Sequence, residues 1–306
     1  MDFGVFLPVS GRAAGPDTLT EAARRAEEWG FSTIWTAERL VIPWQIDTPY
    51  PYAEGGQFIV PPDRPFLEAL TCLAFLAGQT ERVRLGISVL VLPYRHPLHW
   101  AKVVTTIDRL SQGRFVLGVG VGWMREEFAA LQAPFEARAA VSDEQLAIFD
   151  RLMQDEHCSF SGRFYAFDDI AFEPKAHARA RIPVWVGGEG RPAQRRAGQL
   201  GDAWFPYFVR VTPEELGARF EAVRRFAAEA GRDPRQVHLT CCLPVEVTPE
   251  PVAQQPDRLR GSPEQLAEAV ARFERVGVEH LALQFMVPHY GQRLAQMERF
   301  AKRVIP

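Results

Sequence analysis

The sequence predicts an α/β fold, a (β/α)8 TIM barrel, and three observations lead there. Short β-like runs alternate with helical patterns from one end of the chain to the other. Eight such βα units can be counted, the number that closes a parallel barrel. Three junctions also repeat one design: Gly30-Phe31-Ser32-Thr33-Ile34-Trp35, Gly201-Asp202-Ala203-Trp204-Phe205 and Gly277-Val278-Glu279-His280-Leu281-Ala282. In each, a glycine ends a helix and an apolar strand follows within a few residues, as in the αβ loop of a repeated unit. An open, doubly wound sheet is the alternative that the same alternation allows.

The elements follow in order. Phe3–Leu7 reads as the first strand. Leu19, Ala22, Ala23, Ala26 and Trp29 then recur at helical spacing, with Gly30 as the stop. Thr33–Thr36 is the second strand and Pro65–Gly78 the second helix. Arg84–Val91 is the third strand, and Leu98, Ala101, Val104, Ile107 and Leu110 mark the helix after it. Phe115–Val119 and Val141–Met153 are the fourth strand and helix. Pro183–Val186, Ala193–Leu200 and Ala203–Phe205 make strand five, helix five and strand six. Thr212-Pro213-Glu214-Glu215 and Ser262-Pro263-Glu264-Gln265 are capping boxes with proline at the first helical position. They open helices six and seven, which end at Gly231 and Gly277 and flank strand seven, Val237–Val247. Leu281–Phe285 is strand eight, and a last helix runs to about Arg303.

Three stretches interrupt the rhythm. Residues 42–63, after strand two, are rich in Pro, Tyr and Gly and long for a βα loop. Residues 159–174, between helix four and strand five, read as a β-hairpin about Ser161-Gly162. Residues 248–260, after strand seven, are polar with three prolines. No linker breaks the chain, so a single domain over 1–306 is expected.

Composition narrows the function. Apolar residues make up 47% and charged residues 24% of 306, and the formal net charge is -3. That is ordinary for a globular protein and lacks the basic face of a nucleic-acid binder. Met1-Asp2-Phe3-Gly4-Val5-Phe6-Leu7-Pro8, with an acidic second residue and a short apolar run, does not read as a signal peptide. The apolar run near Leu85–Leu92 falls far short of the roughly 20 residues that span a bilayer. A cytoplasmic protein without membrane or nucleic-acid partners is expected. Cys72, Cys158, Cys241 and Cys242 show no CxxC spacing and read as buried small hydrophobes. His96 and His99 flank Pro97 without further ligands in view, so they read as helix-start residues and no metal site is expected. No serine sits in GxSxG, which leaves acyl transfer unsupported.

A parallel barrel carries its site beyond the C-terminal ends of its strands. That rule selects Glu38-Arg39 after strand two and Ser88-Val89 in strand three. It also selects Gly118-Val119-Gly120-Val121-Gly122-Trp123 after strand four and Gly187-Gly188-Glu189-Gly190-Arg191 after strand five. Strand six delivers Pro206-Tyr207, strand seven Glu246 and strand eight Gln284-Phe285-Met286. Glycines before a helix leave N–H groups free at a positive helix end, so the strand-five segment, with Arg191, suits a phosphate. The glycine run of strand four lacks GxGxxG spacing. It suits close approach to a flat ring with Trp123 as a wall, or equally a strand end packed on its neighbour. Glu126 and Glu127 read as solvated. Trp44, Tyr50, Tyr52 and Phe58 crowd the long second loop and suit a lid over an apolar or aromatic substrate.

Four segments together resemble the bacterial luciferase-like family, in particular its coenzyme F420-dependent oxidoreductase branch. They are Phe3-Gly4-Val5-Phe6-Leu7-Pro8, Arg82–Val89, Leu110–Trp123 with its leading Leu110-Ser111-Gln112-Gly113-Arg114, and Pro183-Val184-Trp185-Val186-Gly187-Gly188. The resemblance implies a hydride transfer between F420 and a small organic substrate. FMN-dependent monooxygenation with a partner flavin reductase, or a flavin-binding barrel without catalysis, are the alternatives. It implies a non-prolyl cis peptide at Ser88-Val89 and a cofactor phosphate on Gly188-Glu189-Gly190-Arg191. The ring would lie near Glu38, Ser88, Val89, Gly120, Gly122 and Trp123, and the chain would form a homodimer. Several F420 enzymes end strand two with Asp-His where this chain has Glu38-Arg39, so Glu38 and Arg39 are the catalytic candidates.

Overall fold

A computed structural model describes residues 1–53, 55–178, 181–207, 211–253 and 258–305. Eight strands form the barrel: β1 (Asp2–Phe6), β2 (Thr33–Thr36), β3 (Arg84–Val91), β4 (Phe115–Gly120), β7 (Val184–Gly187), β8 (Ala203–Phe205), β9 (His238–Val247) and β11 (Val278–Phe285). Every neighbouring pair is parallel. β9 bonds to both β8 and β11, and β11 bonds to β1, so the ring is closed and the open-sheet alternative falls.

Two layers of apolar side chains follow from the alternation along each strand. Outward residues such as Val5, Ile34, Leu85 and Leu117 pack under the helices. Inward residues fill the barrel: Phe6, Trp35, Val116, Trp185 and Phe205. Trp35 is too large for its layer unless its neighbours are small. A Cβ on Gly4 would lie 2.3 Å from its Nε1, and one on Gly86 2.4 Å from its ring.

The helices bury the faces that their spacing predicts. α1 (Pro16–Glu28) buries Leu19, Ala22, Ala23 and Ala26. α3 (Pro97–Leu110) buries Trp100, Ala101, Val104 and Ile107, and His96 is its N-cap. α7 (Pro213–Glu229) and α8 (Pro263–Arg275) begin with the expected capping boxes, both reciprocal bonds being present. α6 (Arg191–Leu200) follows β7, and α9 (Tyr290–Arg303) ends the chain.

The expected hairpin is present as β5 (Cys158–Ser161) and β6 (Ala166–Ile170), antiparallel, after α5 (Arg138–Gln154). Other expectations need correction. The second helix is α2 (Ala69–Ala77), four residues shorter at its start than the sequence suggests. Phe66 instead forms an antiparallel bridge with Ser10, and Leu67 donates to the Val9 carbonyl. This tertiary pairing overrides the helical preference of a proline start. The excursion after β9 holds a short strand, β10 (Leu259–Gly261), parallel to β9; residues 254–257 of that segment lie outside the described residues. A short helix, α4 (Arg125–Ala130), follows β4 where the sequence suggested only polar surface. All four cysteines are buried. No helix among the described residues is long and apolar enough to cross a membrane.

Candidate active site

The C-terminal mouth of the barrel holds a cavity of about 220 Å3 to which seven of the eight barrel strands contribute. It is small beside the roughly 300–1,000 Å3 usual for a ligand site. The loop after β2 accounts for this, since Tyr50, Tyr52, Phe58, Ile59 and Val60 reach in from above. Tyr50 is the pivot of that loop, its ring about 5 Å from those of Tyr52, Phe58 and Trp123. Burial pushes the Tyr50 phenol up to about 12 and raises that of Tyr52 further. The structure therefore brings Tyr50, Tyr52 and Phe58 to the cavity. It does not bring Trp44 there: that side chain is 83% exposed and does not line the cavity.

Glu38 and Arg39 both border the cavity, yet their charged groups are engaged. Glu38 accepts from the Val91 N–H at 2.6 Å and pairs with Arg95 at 2.6 Å, and its carboxylate is buried. Burial raises its pKa, against the pull of Arg95. Arg39 donates to Glu127 at 2.8 Å, and its guanidinium lies over the rings of Phe58 and Trp123. These contacts tie the end of β2 to β3, α4 and the lid.

Glu127 was read from the sequence as solvated, and the structure reverses that. It is fully buried. It accepts from Arg39, from the Tyr94 hydroxyl at 2.8 Å and from the N–H groups of Leu40 and Val41. Glu126 likewise accepts from the Asp47 and Thr48 N–H groups and the Thr48 hydroxyl, which hold its pKa down despite some burial. One carboxylate thus anchors the base of the loop and its neighbour the next turn. Their sequence signal was only a Glu-Glu pair just after a strand end; no periodicity marks so short a helix.

Ser88-Val89 is a cis peptide, as the family resemblance implied. The Val89 side chain turns across the mouth into space left by glycines. A Cβ on Gly120 would lie 2.5 Å from Val89 Cγ2, and one on Gly187 2.9 Å from Val89 Cγ1. Gly122, at φ 82°, makes room for Phe128. The glycine run after β4 is thus accounted for by packing within the protein. The result is still a flat, side-chain-poor wall formed by Ser88, Val89, Gly120, Val121, Gly122, Gly187 and Gly188, with Trp123 at its edge.

Gly188 borders the cavity; Glu189, Gly190 and Arg191 lie just outside it. Gly190 is the N-cap of α6 and is exposed, and a side chain there would meet only Pro192 Cδ, at an ordinary contact distance. Arg191 is exposed, its guanidinium 5.8 Å from the Phe226 ring. The charge of Glu189 acts on the Tyr52 hydroxyl, so a carboxylate stands beside this helix end. Two cavity residues were passed over as site candidates: Tyr207 and Gln284, hydrogen-bonded to each other at 2.9 Å. Only the strand-end rule pointed to them. Among the described residues no group of three or more His, Cys, Asp or Glu could hold a metal ion.

A closed parallel barrel with a glycine-lined slot at its C-terminal mouth defines a TIM barrel whose candidate site lies where that fold carries its active sites. The chain belongs to the luciferase-like monooxygenase family, whose model matches residues 1–257. It is 32% identical over 213 residues to a phthiodiolone/phenolphthiodiolone dimycocerosates ketoreductase of Mycobacterium kansasii, covering 68% of this chain and 57% of that one. Two solved structures share the fold over the full length of this chain. The monooxygenase RslO1 from Streptomyces bottropensis superposes with a TM-score of 0.77 at 21% identity, 99% of its chain being covered. An F420-dependent secondary alcohol dehydrogenase in complex with an F420-acetone adduct does so with a TM-score of 0.77 at 18% identity, also over 99% of its chain.

Proposed function

We propose that this chain is a deazaflavin-dependent oxidoreductase that moves a hydride between coenzyme F420 and a small organic substrate. The observation that carries the reading is the slot itself: a side-chain-poor wall across the barrel mouth, continuous at Gly188 with the N-terminus of α6. A flat ring fits against such a wall, and a phosphate fits a helix N-terminus. Ser88, Val89, Gly120, Gly122 and Trp123 would hold the ring. Gly188, Glu189, Gly190 and Arg191 would hold the phosphate end. When bound, F420 supplies the hydride donor or acceptor.

The protein's own part is position and exclusion of water. Glu38 and Arg39 act here as positioning residues, because their charges are spent on Arg95 and Glu127. Tyr50 and Tyr52 close the mouth over the substrate and stay protonated, since burial raises both phenols. The ketoreductase relative and the F420-dependent dehydrogenase support this reading. The family description favours a second one, an FMN-dependent monooxygenase served by a partner flavin reductase. We further propose that the chain works as a cytoplasmic homodimer.

The test is direct binding of FMN, FMNH2, F420 and reduced F420 to the purified protein. F420 binding tighter than FMN supports the first reading and the reverse supports the second. No binding of any of them below about millimolar concentration overturns both.

A further inference from the structure

A second cavity, of about 900 Å3, opens at the other end of the barrel, where β1, β3, β7, β9 and β11 begin. Active sites of this fold lie at the C-terminal face, so this cavity stands apart from the catalytic mouth. Trp35 and the inward side chains packed round it separate the two.

Three side chains that line this cavity meet one another: Arg84, Trp185 and His280. The Trp185 ring lies 5.1 Å from that of His280, and the Arg84 guanidinium stands 6.0 Å from the Trp185 ring. The Arg84 charge also acts on the His280 ring. His280 is 2% exposed, and Trp35 Nε1 donates to its Nε2 at 3.2 Å. The proton of the neutral ring is therefore on Nδ1, which is buried and has no hydrogen-bond partner. Its direction follows from the register. His280 pairs with Asp2 at the start of β1, whereas its Nε2 meets Trp35 over Gly4, further into the barrel. The two ring nitrogens point to nearly opposite sides, so Nδ1 turns back toward the cavity.

A buried N–H without an acceptor is costly, and the occupant of the cavity can supply one. Arg84 names its charge. It bonds through Nη2 to Asp2 at 2.6 Å and to Ser32 at 3.4 Å, and its planar fork has further N–H donors on Nε and Nη1. Bonds from such a fork to a carboxylate are roughly twice as strong as bonds between neutral groups. Arg181 and Arg224 add positive charge at the rim. The rim carboxylates have their own partners: Asp202 accepts from Arg181 and the Val184 N–H, each at 2.8 Å, and Glu279 pairs with His238 at 2.9 Å. Glu274 is 62% exposed, where solvent screens it.

We propose that this N-terminal cavity is a second ligand site, for a small carboxylic acid bound as its anion. The carboxylate bridges Arg84 and His280 Nδ1, and the body of the ligand lies along Trp185. The site is independent of the redox reading above.

The probe is benzoate, with benzamide and benzylamine as neutral and positive controls of like size. Ligand-detected NMR on the free protein follows binding, and the histidine nitrogen signals report where it occurs, with His280→Gln identifying that of His280. Benzoate should bind in the millimolar range or tighter and shift the His280 Nδ1 signal. Benzamide should bind at least about fivefold more weakly. Arg84→Met keeps the stem beside Trp185 and removes the fork, so it should weaken benzoate at least about tenfold. Arg84→Lys keeps the charge without the fork and should fall between. Affinities for FMN and F420 should stay those of the parent in both variants. Benzamide or benzylamine binding as tight as benzoate overturns the proposal. So does an unchanged benzoate affinity in Arg84→Met, or binding that leaves the His280 signal in place. No benzoate binding at millimolar concentrations leaves the cavity to water and also overturns it. Cofactor binding is read separately, so failure of the redox reading would leave this site standing, and the reverse.

Discussion

His280 sits inside the barrel, where Trp35 Nε1 donates to its Nε2 at 3.2 Å and its Nδ1 is buried. An acceptor Nε2 places the proton of the neutral ring on Nδ1. Burial and the nearby Arg84 charge hold its pKa well below the ordinary 6.5. The unfolded chain therefore binds a proton below pH 6.5 that the folded chain refuses. Stability is complete above that pH and declines as pH falls toward the folded pKa, by up to about 1.4 kcal/mol per pH unit. His280→Gln keeps an acceptor for Trp35 without a titrating group. Its drop in melting temperature between pH 7.5 and 5.5 should be smaller than that of the parent; an equal drop would remove His280 from the account. Little at this scale was legible in the sequence. His280 reads from the sequence only as part of a helix-to-strand junction, and Glu127 as solvated, because burial of a single polar residue is decided by partners far along the chain: Trp35 in one case, Arg39 and Tyr94 in the other.

Elements with local signals were legible, and elements without them were not. The capping boxes at Thr212 and Ser262 state their helices in four residues each. α4 has six residues, too few for a periodic face, and forms because Phe128 packs under Gly122 and Glu127 is held by four donors. The strand-five glycines carry the proposed phosphate site, which makes α6 the place to test it. Gly190 has room for a side chain, its Cβ meeting only Pro192 Cδ at 3.6 Å. Aspartate is also a favoured N-cap residue, so Gly190→Asp should leave α6 intact. It should still weaken an anionic cofactor at least tenfold, about 1.4 kcal/mol. Glu189→Gln should act in the opposite sense and tighten it, since it removes a carboxylate beside the same helix end. Titration of FMN and F420 against both variants decides; no change in Gly190→Asp would move the phosphate elsewhere.

At the scale of the whole molecule, closure of the barrel was legible because eight βα units and three like junctions all agree, and agreement across levels is what specifies a fold. Assembly is not written in that pattern. It has to be sought on the surface, where single exposed hydrophobes are ordinary and paired ones are not. Phe75, in the last turn of α2, is 42% exposed, and Leu110, the last residue of α3, is 60% exposed. α2 and α3 pack side by side, and in βα units both run back toward the N-terminal face of the barrel. Their C-terminal turns therefore present two large apolar side chains near one another, away from the active-site mouth. Burial of the part that each still exposes contributes about 1 kcal/mol. A homodimer that uses this face leaves the cavity open to substrate. Sedimentation should give twice the 34.5 kDa chain mass at micromolar concentration. Phe75→Glu with Leu110→Glu should return the single-chain mass, with cofactor affinity unchanged. A dimer that survives both substitutions would place the interface on another face, and a parent protein that sediments as one chain would remove the dimer altogether.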